Sequence, residues 1–159
     1  MSVGNLFTLY HIQASIGTSF TPGEGSAAGT WTYAELNNGL DNVAEALNEV
    51  VQQYFFLNDG GFARNHVTGM APAFTFSGRR VQGDAAQEYI FGNKYKLDTN
   101  RLSNFKLVIV DNSGAAPKTS TLTADCTICN IQEWSGASTD DSAISFEVRF
   151  DGAPTLTES

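Results

Sequence analysis

The residues able to do chemistry are few. Cys126 and Cys129 stand in a C-x-x-C spacing, which on a turn can hold structural zinc or run dithiol redox chemistry. Structural zinc needs four ligands, and this pair lies inside Thr119 to Ile131, a segment with strong strand alternation. Residues three apart on a regular strand point to opposite faces, so both thiols read as plain β residues. The two histidines, His11 and His66, are far apart and have no H-x-H or H-E-x-x-H context. A β-barrel metalloenzyme of the cupin kind needs about three closely placed histidine or carboxylate ligands, so each histidine reads as a loop or surface residue. No G-x-S-x-G nucleophile elbow occurs, and Ser77-Gly78 and Ser113-Gly114 read as turn dipeptides. Asp140-Asp141 is the sole adjacent acid pair and reads as solvated loop acids, since a calcium site needs six or more oxygens. Arg79-Arg80, the sole adjacent basic pair, reads as a strand-end salt bridge or a subunit contact. Trp31 and Trp134 can stack on sugar rings, but in a chain of this size tryptophans more often fill a core or an interface. The glycines at 23, 25 and 29 miss the dinucleotide-loop spacing, and no Lys-Ser or Lys-Thr follows them. This inventory assigns no catalytic, cofactor-binding or metal-binding residue and points away from an enzyme.

Whatever these residues do, the elements carrying them are β-rich. The chain has 159 residues, enough for one domain with a real core, and it is 42% hydrophobic and only 16% charged. Fifteen glycines, many threonines and eleven phenylalanines favour strands and turns. Seventeen acids against nine bases give a formal charge of −8, which repels nucleic-acid phosphates and argues against tight wrapping of DNA or RNA. Met1 to Tyr10 lacks the charged start and apolar stretch of a secretory signal, and no apolar run is long enough to span a membrane. A soluble protein made in the cytoplasm is expected.

Asn5 to Phe20 alternates weakly, as an arm or an edge strand, and Thr21 to Gly29 reads as a loop; together residues 1–29 are expected to be flexible. Thr30 to Leu36 reads as a short strand. Between Leu40 and Leu57 the residues leave two readings open. Leu40, Val43, Ala44, Leu47, Val50, Val51 and Tyr54 fit helical spacing, whereas Val50 to Leu57 is β-branched and aromatic and ends in the turn signal Asn58-Asp59-Gly60-Gly61. Phe74 and Phe76 mark a strand running towards Val81. Asp84 reads as the N-cap of a short helix from Ala85 to about Phe91, with Gln87 as its capping-box partner, Tyr89 or Ile90 buried, and Gly92 as the stop. Strands follow at Ser103 to Asp111, apolar on both faces, at Thr119 to Ile131 and at Ile144 to Phe150. Loops at Asn112 to Lys118 and Ser135 to Asp141 join them as antiparallel neighbours. The polar tail, Asp151 to Ser159, carries Pro154 and is expected to extend away from the sheet. The sum is a mainly β fold: a sandwich or partial barrel of two antiparallel sheets with one short flanking helix, all in a single domain.

The order of FFLNDGGFA at 55–63, VTG at 67–69, FTFSGRR at 74–80 and GDAAQEYIF at 83–91 resembles the tail tube proteins of long-tailed phages infecting Gram-positive bacteria. TWTYAEL at 30–36 and ISFEVRFDG at 144–152 fit the same layout, so the resemblance spans roughly residues 30 to 152. It implies two packed antiparallel sheets with a flanking helix, and makes Leu40 to Leu57 a strand and loop region that contacts adjacent subunits. It further implies a virion protein, made and assembled in the host cytoplasm, that forms stacked, typically hexameric rings. Its partners would be copies of itself, a tape-measure protein, a tail terminator and baseplate or tail-tip proteins. Double-stranded DNA would pass through the lumen without specific binding, with no cofactor and no membrane. Six copies at −8 would carry roughly −48 per ring, a balance that keeps passing phosphates from sticking.

Two other readings compete. A tube protein of a contractile tail or secretion device would share the fold and add a sheath partner. A β-sandwich module binding a glycan or receptor would present Trp31 or Trp134 on an exposed platform and would not form tubes.

Overall fold

The computed structural model of the protein describes residues 7–111, 114 and 116–159. Ten strands and one α-helix make up most of it: β1 (Ile12–Thr21), β2 (Thr30–Glu35), β3 (Leu40–Ala46), β4 (Val50–Tyr54), β5 (Arg64–Gly69), β6 (Ala73–Arg79), α1 (Ala85–Gly92), β7 (Leu102–Asp111), β8 (Lys118–Gln132), β9 (Ala143–Phe150) and β10 (Thr155–Glu158). All pairings are antiparallel, in an eight-stranded sheet ordered β2-β1-β7-β8-β9-β6-β3 with β10 also on β8, and a two-stranded sheet of β4 and β5. The large sheet encloses the core by curling. β7 and β6 are separated by β8 and β9, so in a flat sheet they would lie roughly 14 Å apart at about 4.8 Å per strand. Yet the rings of Phe105 on β7 and Phe74 on β6 have centroids 5.3 Å apart. The mainly β fold with one helix thus takes the partial-barrel form.

Alternation fills the interior. Ala14 and Ile16 of β1, Phe74 and Phe76 of β6, Phe105 and Leu107 of β7, Cys126 and Ile128 of β8, and Ile144, Phe146 and Val148 of β9 are all buried in one cluster. Fully burying one such large apolar side chain contributes roughly 1.5–3 kcal/mol, so this cluster is the main source of cohesion. Ile90 and Phe91 of α1 join it and close one side of the barrel.

The N-terminal and C-terminal segments differ from the expectation. The part of Asn5 to Phe20 read as an arm or edge strand is β1, an inner strand between β2 and β7 with two core residues; Asn5 itself lies outside the described residues, as does Ser113. The alternation of β1 is short, Ile12, Ala14 and Ile16 against Gln13 and Ser15, and it breaks at Gly17, where the pairing with β2 shifts register. Residues 22–29 form the loop between β1 and β2. The tail does not extend away. Asp151 N donates to the Asp125 carbonyl (2.7 Å), Gly152 turns the chain at φ 99°, and Thr155 to Glu158 pair with Thr123 to Ser120. β8 has fifteen residues, and β9 covers only its second half, from Cys126 onward. The uncovered backbone of the first half takes β10 as a partner, because unpaired strand edges are templates for pairing.

Two local readings also change. Ser77-Gly78 is not a turn but the interior of β6, paired with Ser145 and Ile144. β7 buries Ser103, Phe105 and Leu107 and leaves its other side half-exposed, rather than burying both faces.

Candidate assembly surface

The segment from Leu40 to Leu57 folds as strands, resolving the open choice between helix and strand. β3 pairs with β6 in the large sheet, and β4 leaves that sheet to form a separate hairpin with β5. The base of the hairpin is clasped where Ala71 N donates to the Leu47 carbonyl (2.9 Å) and Asn48 Nδ2 donates to the Ala71 carbonyl (3.0 Å). Its tip, residues 55–63, is held by Arg64, whose Nε and Nη2 donate to the two carboxylate oxygens of Asp59 at 2.7 and 2.9 Å. Gly60 and Gly61 sit at φ 61° and 92°, the left-handed region that glycine enters without steric cost.

This hairpin carries large apolar side chains that its own chain does not cover. Phe55, Phe56, Leu57 and Phe62 crowd the tip, Leu57 at 102% and Phe62 at 79% relative exposure, while Val51, Val67 and Met70 follow down the ribbon. The rings of Tyr54 and Phe56 stack at 5.7 Å with a 10° interplanar angle. No residue from 47 to 70 belongs to the core cluster. A two-stranded ribbon is marginal by itself in water, and an exposed apolar patch of this kind marks an interaction site.

The other candidate residues do not converge. Cys126 is buried and Cys129, on the opposite face, is half-buried. Burial pushes the Cys126 thiol up to about 12 and raises Cys129 as well, so both are poor nucleophiles at neutral pH. His11 sits against the ring of Tyr10 near the N-terminus, whereas His66 pairs with Gln52 on the hairpin. Asp140 accepts from Ala137 N (3.2 Å) inside its own loop. Among the described residues no group of three histidine, cysteine or acid side chains is placed to hold a metal, and no helix is long and apolar enough to cross a membrane. Trp31 lies over Gly17 beside Phe20, half-buried, and Trp134 is 60% exposed under Lys94, so neither tryptophan is in the core.

Arg79 and Arg80 part company. Arg79 reaches the Asp141 carbonyl (3.1 Å) at the surface, whereas Arg80 turns inward to Glu133 and Glu88. The helix N-cap is Asp84, whose carboxylate accepts from Gln87 N (3.1 Å). Gln87 does not complete a capping box. Its Oε1 accepts from Val81 N (2.8 Å), and its Nε2 donates to the carbonyls of Asn38 and Arg79. Glu88 is the residue that reaches back, to Gly83 N (2.9 Å). Ile90 is buried and Tyr89 only partly so; Gly92 is still helical, and Asn93 takes the C-cap. Sequence reasoning missed Glu133 and gave Gln87 a capping role in place of its buried one, since nothing in their spacing announces a buried polar role.

No family model matches the chain, and no curated protein matches its sequence. Solved structures do match in fold. The chain is similar to one in the C6-symmetric, helically refined tail of an empty GTA particle (13% identity, TM-score 0.64, covering 96% of this chain and 99% of that one). It is similar to the SPP1 tail tube (12% identity, TM-score 0.59, covering 94% and 77%). It is also similar to a chain of the PVC sheath-tube complex, an extracellular contractile injection system, in its extended state (11% identity, TM-score 0.58, covering 97% and 93%). The protein therefore has the tail-tube fold, shared among phage, GTA and contractile injection machines.

Proposed function

We propose that this chain is the self-assembling subunit of a phage-type tail tube, forming stacked rings of six through which double-stranded DNA passes. The observation that carries the proposal is the β4–β5 hairpin, whose apolar tip stays outside the core of its own chain and largely exposed. A second copy is the partner this fold supplies: the GTA tail that it resembles is C6-symmetric. A ring lets every copy bury the same patch against its neighbour, leaving none exposed. The work is structural, and no side-chain constellation described above supports catalysis. The remaining partners would be a tape-measure protein, a tail terminator and baseplate or tail-tip proteins, with the assembled tube residing in the virion tail.

The likeness to the contractile PVC sheath-tube complex favours a second reading, in which the same tube sits inside a sheath. Negative-stain electron microscopy of concentrated protein tests the shared part. Hollow tubes or rings are the expected outcome, and protein that stays monomeric at high concentration, alone and with its initiator complex, sinks it. Co-purification with a sheath protein separates the second reading from the first.

A further inference from the structure

We propose that Asn38 is a site of spontaneous deamidation in the folded protein, and that its isoaspartyl product loosens the seam where the chain passes from β2 to β3.

Asn38-Gly39 is the sole Asn-Gly pair of the chain. It forms the turn between the two strands: Leu40 N donates to the Asn37 carbonyl (3.3 Å), and Gly39 sits at φ 80° in the third place of the turn. Asn38 is exposed, and its amide is held by one long bond, Nδ2 to Asp84 Oδ1 at 3.3 Å. The Gly39 N–H makes no hydrogen bond among the described residues. The other described asparagines are followed by larger residues, whose side chains crowd the attacking amide.

The reaction needs only water. Gly39 N gives up its proton and attacks Asn38 Cγ, the Cγ–Nδ2 bond breaks, and Nδ2 leaves as ammonia, closing a succinimide ring. Water then opens the ring at one of its two carbonyls. Cleavage of the new Cγ–N bond gives aspartate. Cleavage of the original peptide bond gives isoaspartate, whose backbone runs through Cβ and Cγ and is one methylene longer. Ammonia is lost, water is gained, and nothing is oxidised or reduced.

The turn restrains its carbonyls more than its reacting groups. The Asn38 carbonyl accepts from Gln87 Nε2 (3.2 Å) and must tilt during attack, but Nε2 keeps the Arg79 carbonyl as a second acceptor (3.1 Å). The product fits worse. The Gly39 carbonyl accepts from Arg79 N (2.8 Å), and a Cβ on Gly39 would already meet Val81 Cγ2 at 2.7 Å and the Arg79 carbonyl oxygen at 2.8 Å. An added methylene therefore pushes the turn into β6 or breaks its bonds to Arg79 and Gln87. Both products also exchange the amide that donates to Asp84 for a carboxylate beside that helix N-cap, a like-charge contact.

Folded protein and protein held in urea are aged side by side in mildly alkaline buffer. Peptide mapping by mass spectrometry and labelling with an isoaspartyl methyltransferase read the product. Mass separates it from isomerisation at Asp59-Gly60 and Asp151-Gly152, which leaves mass unchanged. In folded protein Asn38 is expected to convert before any other asparagine, about tenfold slower than in urea, since two long hydrogen bonds must break. Folded Asn38 that stays amidated while the unfolded chain converts, or another asparagine that converts first, overturns the site. The isoaspartyl fraction should melt below Asn38→Asp protein, which carries the same charge without the extra methylene. Equal midpoints overturn the effect on the seam.

Discussion

Arg80 at the end of β6 and Glu133 just beyond β8 form an almost dry ion pair, Nε to Oε2 2.9 Å, with both side chains under a tenth exposed. Around it, Arg80 also donates to the Val81 carbonyl (2.7 Å) and to Glu88 (2.9 Å), and its guanidinium lies over the Phe91 ring at 5.0 Å. Lys94 donates to the second Glu133 oxygen. The pair thus ties three elements, β6, α1 and β8, at one end of the curled sheet. A buried ion pair is tolerable only when its remaining donors and acceptors are satisfied, and among the described residues no buried side-chain nitrogen or oxygen lacks a partner.

Removing one member leaves the other buried and uncompensated. Arg80→Ala is expected to destabilise the fold by about 3 kcal/mol, and Glu133→Gln, which keeps hydrogen-bonding capacity, by about 1–3 kcal/mol. Urea unfolding measures both. An Arg80→Ala loss below that of an ordinary surface substitution would show that the network is not holding α1 in place.

Acid should weaken the same network. Burial opposes ionisation of Glu133, but hydrogen bonds from Lys94 and Arg80 outweigh it and hold the carboxyl below the usual range; the Gly83 N–H and Arg80 lower Glu88 too. A group with a depressed folded-state pKa stabilises fully above its unfolded value and loses that contribution as pH falls through its folded value. Thermal stability should therefore be steady near neutrality and fall between about pH 5 and pH 3. In Glu133→Gln the fall over that window should be smaller, from a lower starting point at pH 7. A parallel pair of curves would assign the acid limb to other carboxylates.

Gln87 should matter more than the N-cap it follows. Asp84→Ala loses one capping bond, at about 1 kcal/mol. Gln87→Leu keeps the volume but strands the Val81 N–H and two carbonyls in a buried position, at about 3 kcal/mol or more. Equal losses in chemical denaturation would refute this ranking.

At Gly78 the constraint is backbone contact. A Cβ there would come within 2.2 Å of the Gly39 carbonyl oxygen and 2.6 Å of Leu40 Cα, where β3 crosses β6 at its bulge. Neither neighbour is a flexible side-chain end, so Gly78→Ala forces the strands apart and should cost about 1–3 kcal/mol. Gly114→Ala, where among the described residues a Cβ would meet just the Ala116 carbonyl oxygen at 3.8 Å, is the control expected to be near neutral.

Much of the barrel was legible in the sequence. The alternation of Phe74 with Phe76 and of Ile144, Phe146 and Val148 marks core faces directly, and Asp84 announces its helix. Three features were not legible, each for a different reason. β1 alternates apolar with polar residues only from Ile12 to Ile16 and then breaks at Gly17, too short a run to announce an inner strand. β10 is four residues long with Leu156 its one apolar side chain, and it becomes a strand because β8 outruns β9. Arg80, Gln87 and Glu133 meet across 53 residues of chain, a separation that no local pattern encodes. The hairpin is intermediate. Its turn signal at Asn58 to Gly61 was visible, but whether Val50 to Tyr54 paired locally or wound as a helix depended on contacts with β5.

The hairpin tip gives the sharpest separation between folding and assembly. Phe55 and Phe62 are exposed and outside the core, so replacing both with serine should leave the thermal midpoint unchanged, the usual behaviour of surface sites. If neighbouring copies bury these rings, each loss removes roughly 1.5–3 kcal/mol of burial from every contact. Two losses should then raise the concentration needed for assembly by about 100-fold or more, at about 1.4 kcal/mol per tenfold. Sedimentation of wild-type and Phe55→Ser/Phe62→Ser protein over a concentration series measures that shift. An unchanged threshold would remove the hairpin tip from the subunit contact, whereas a lowered midpoint would mean that the tip supports its own chain after all.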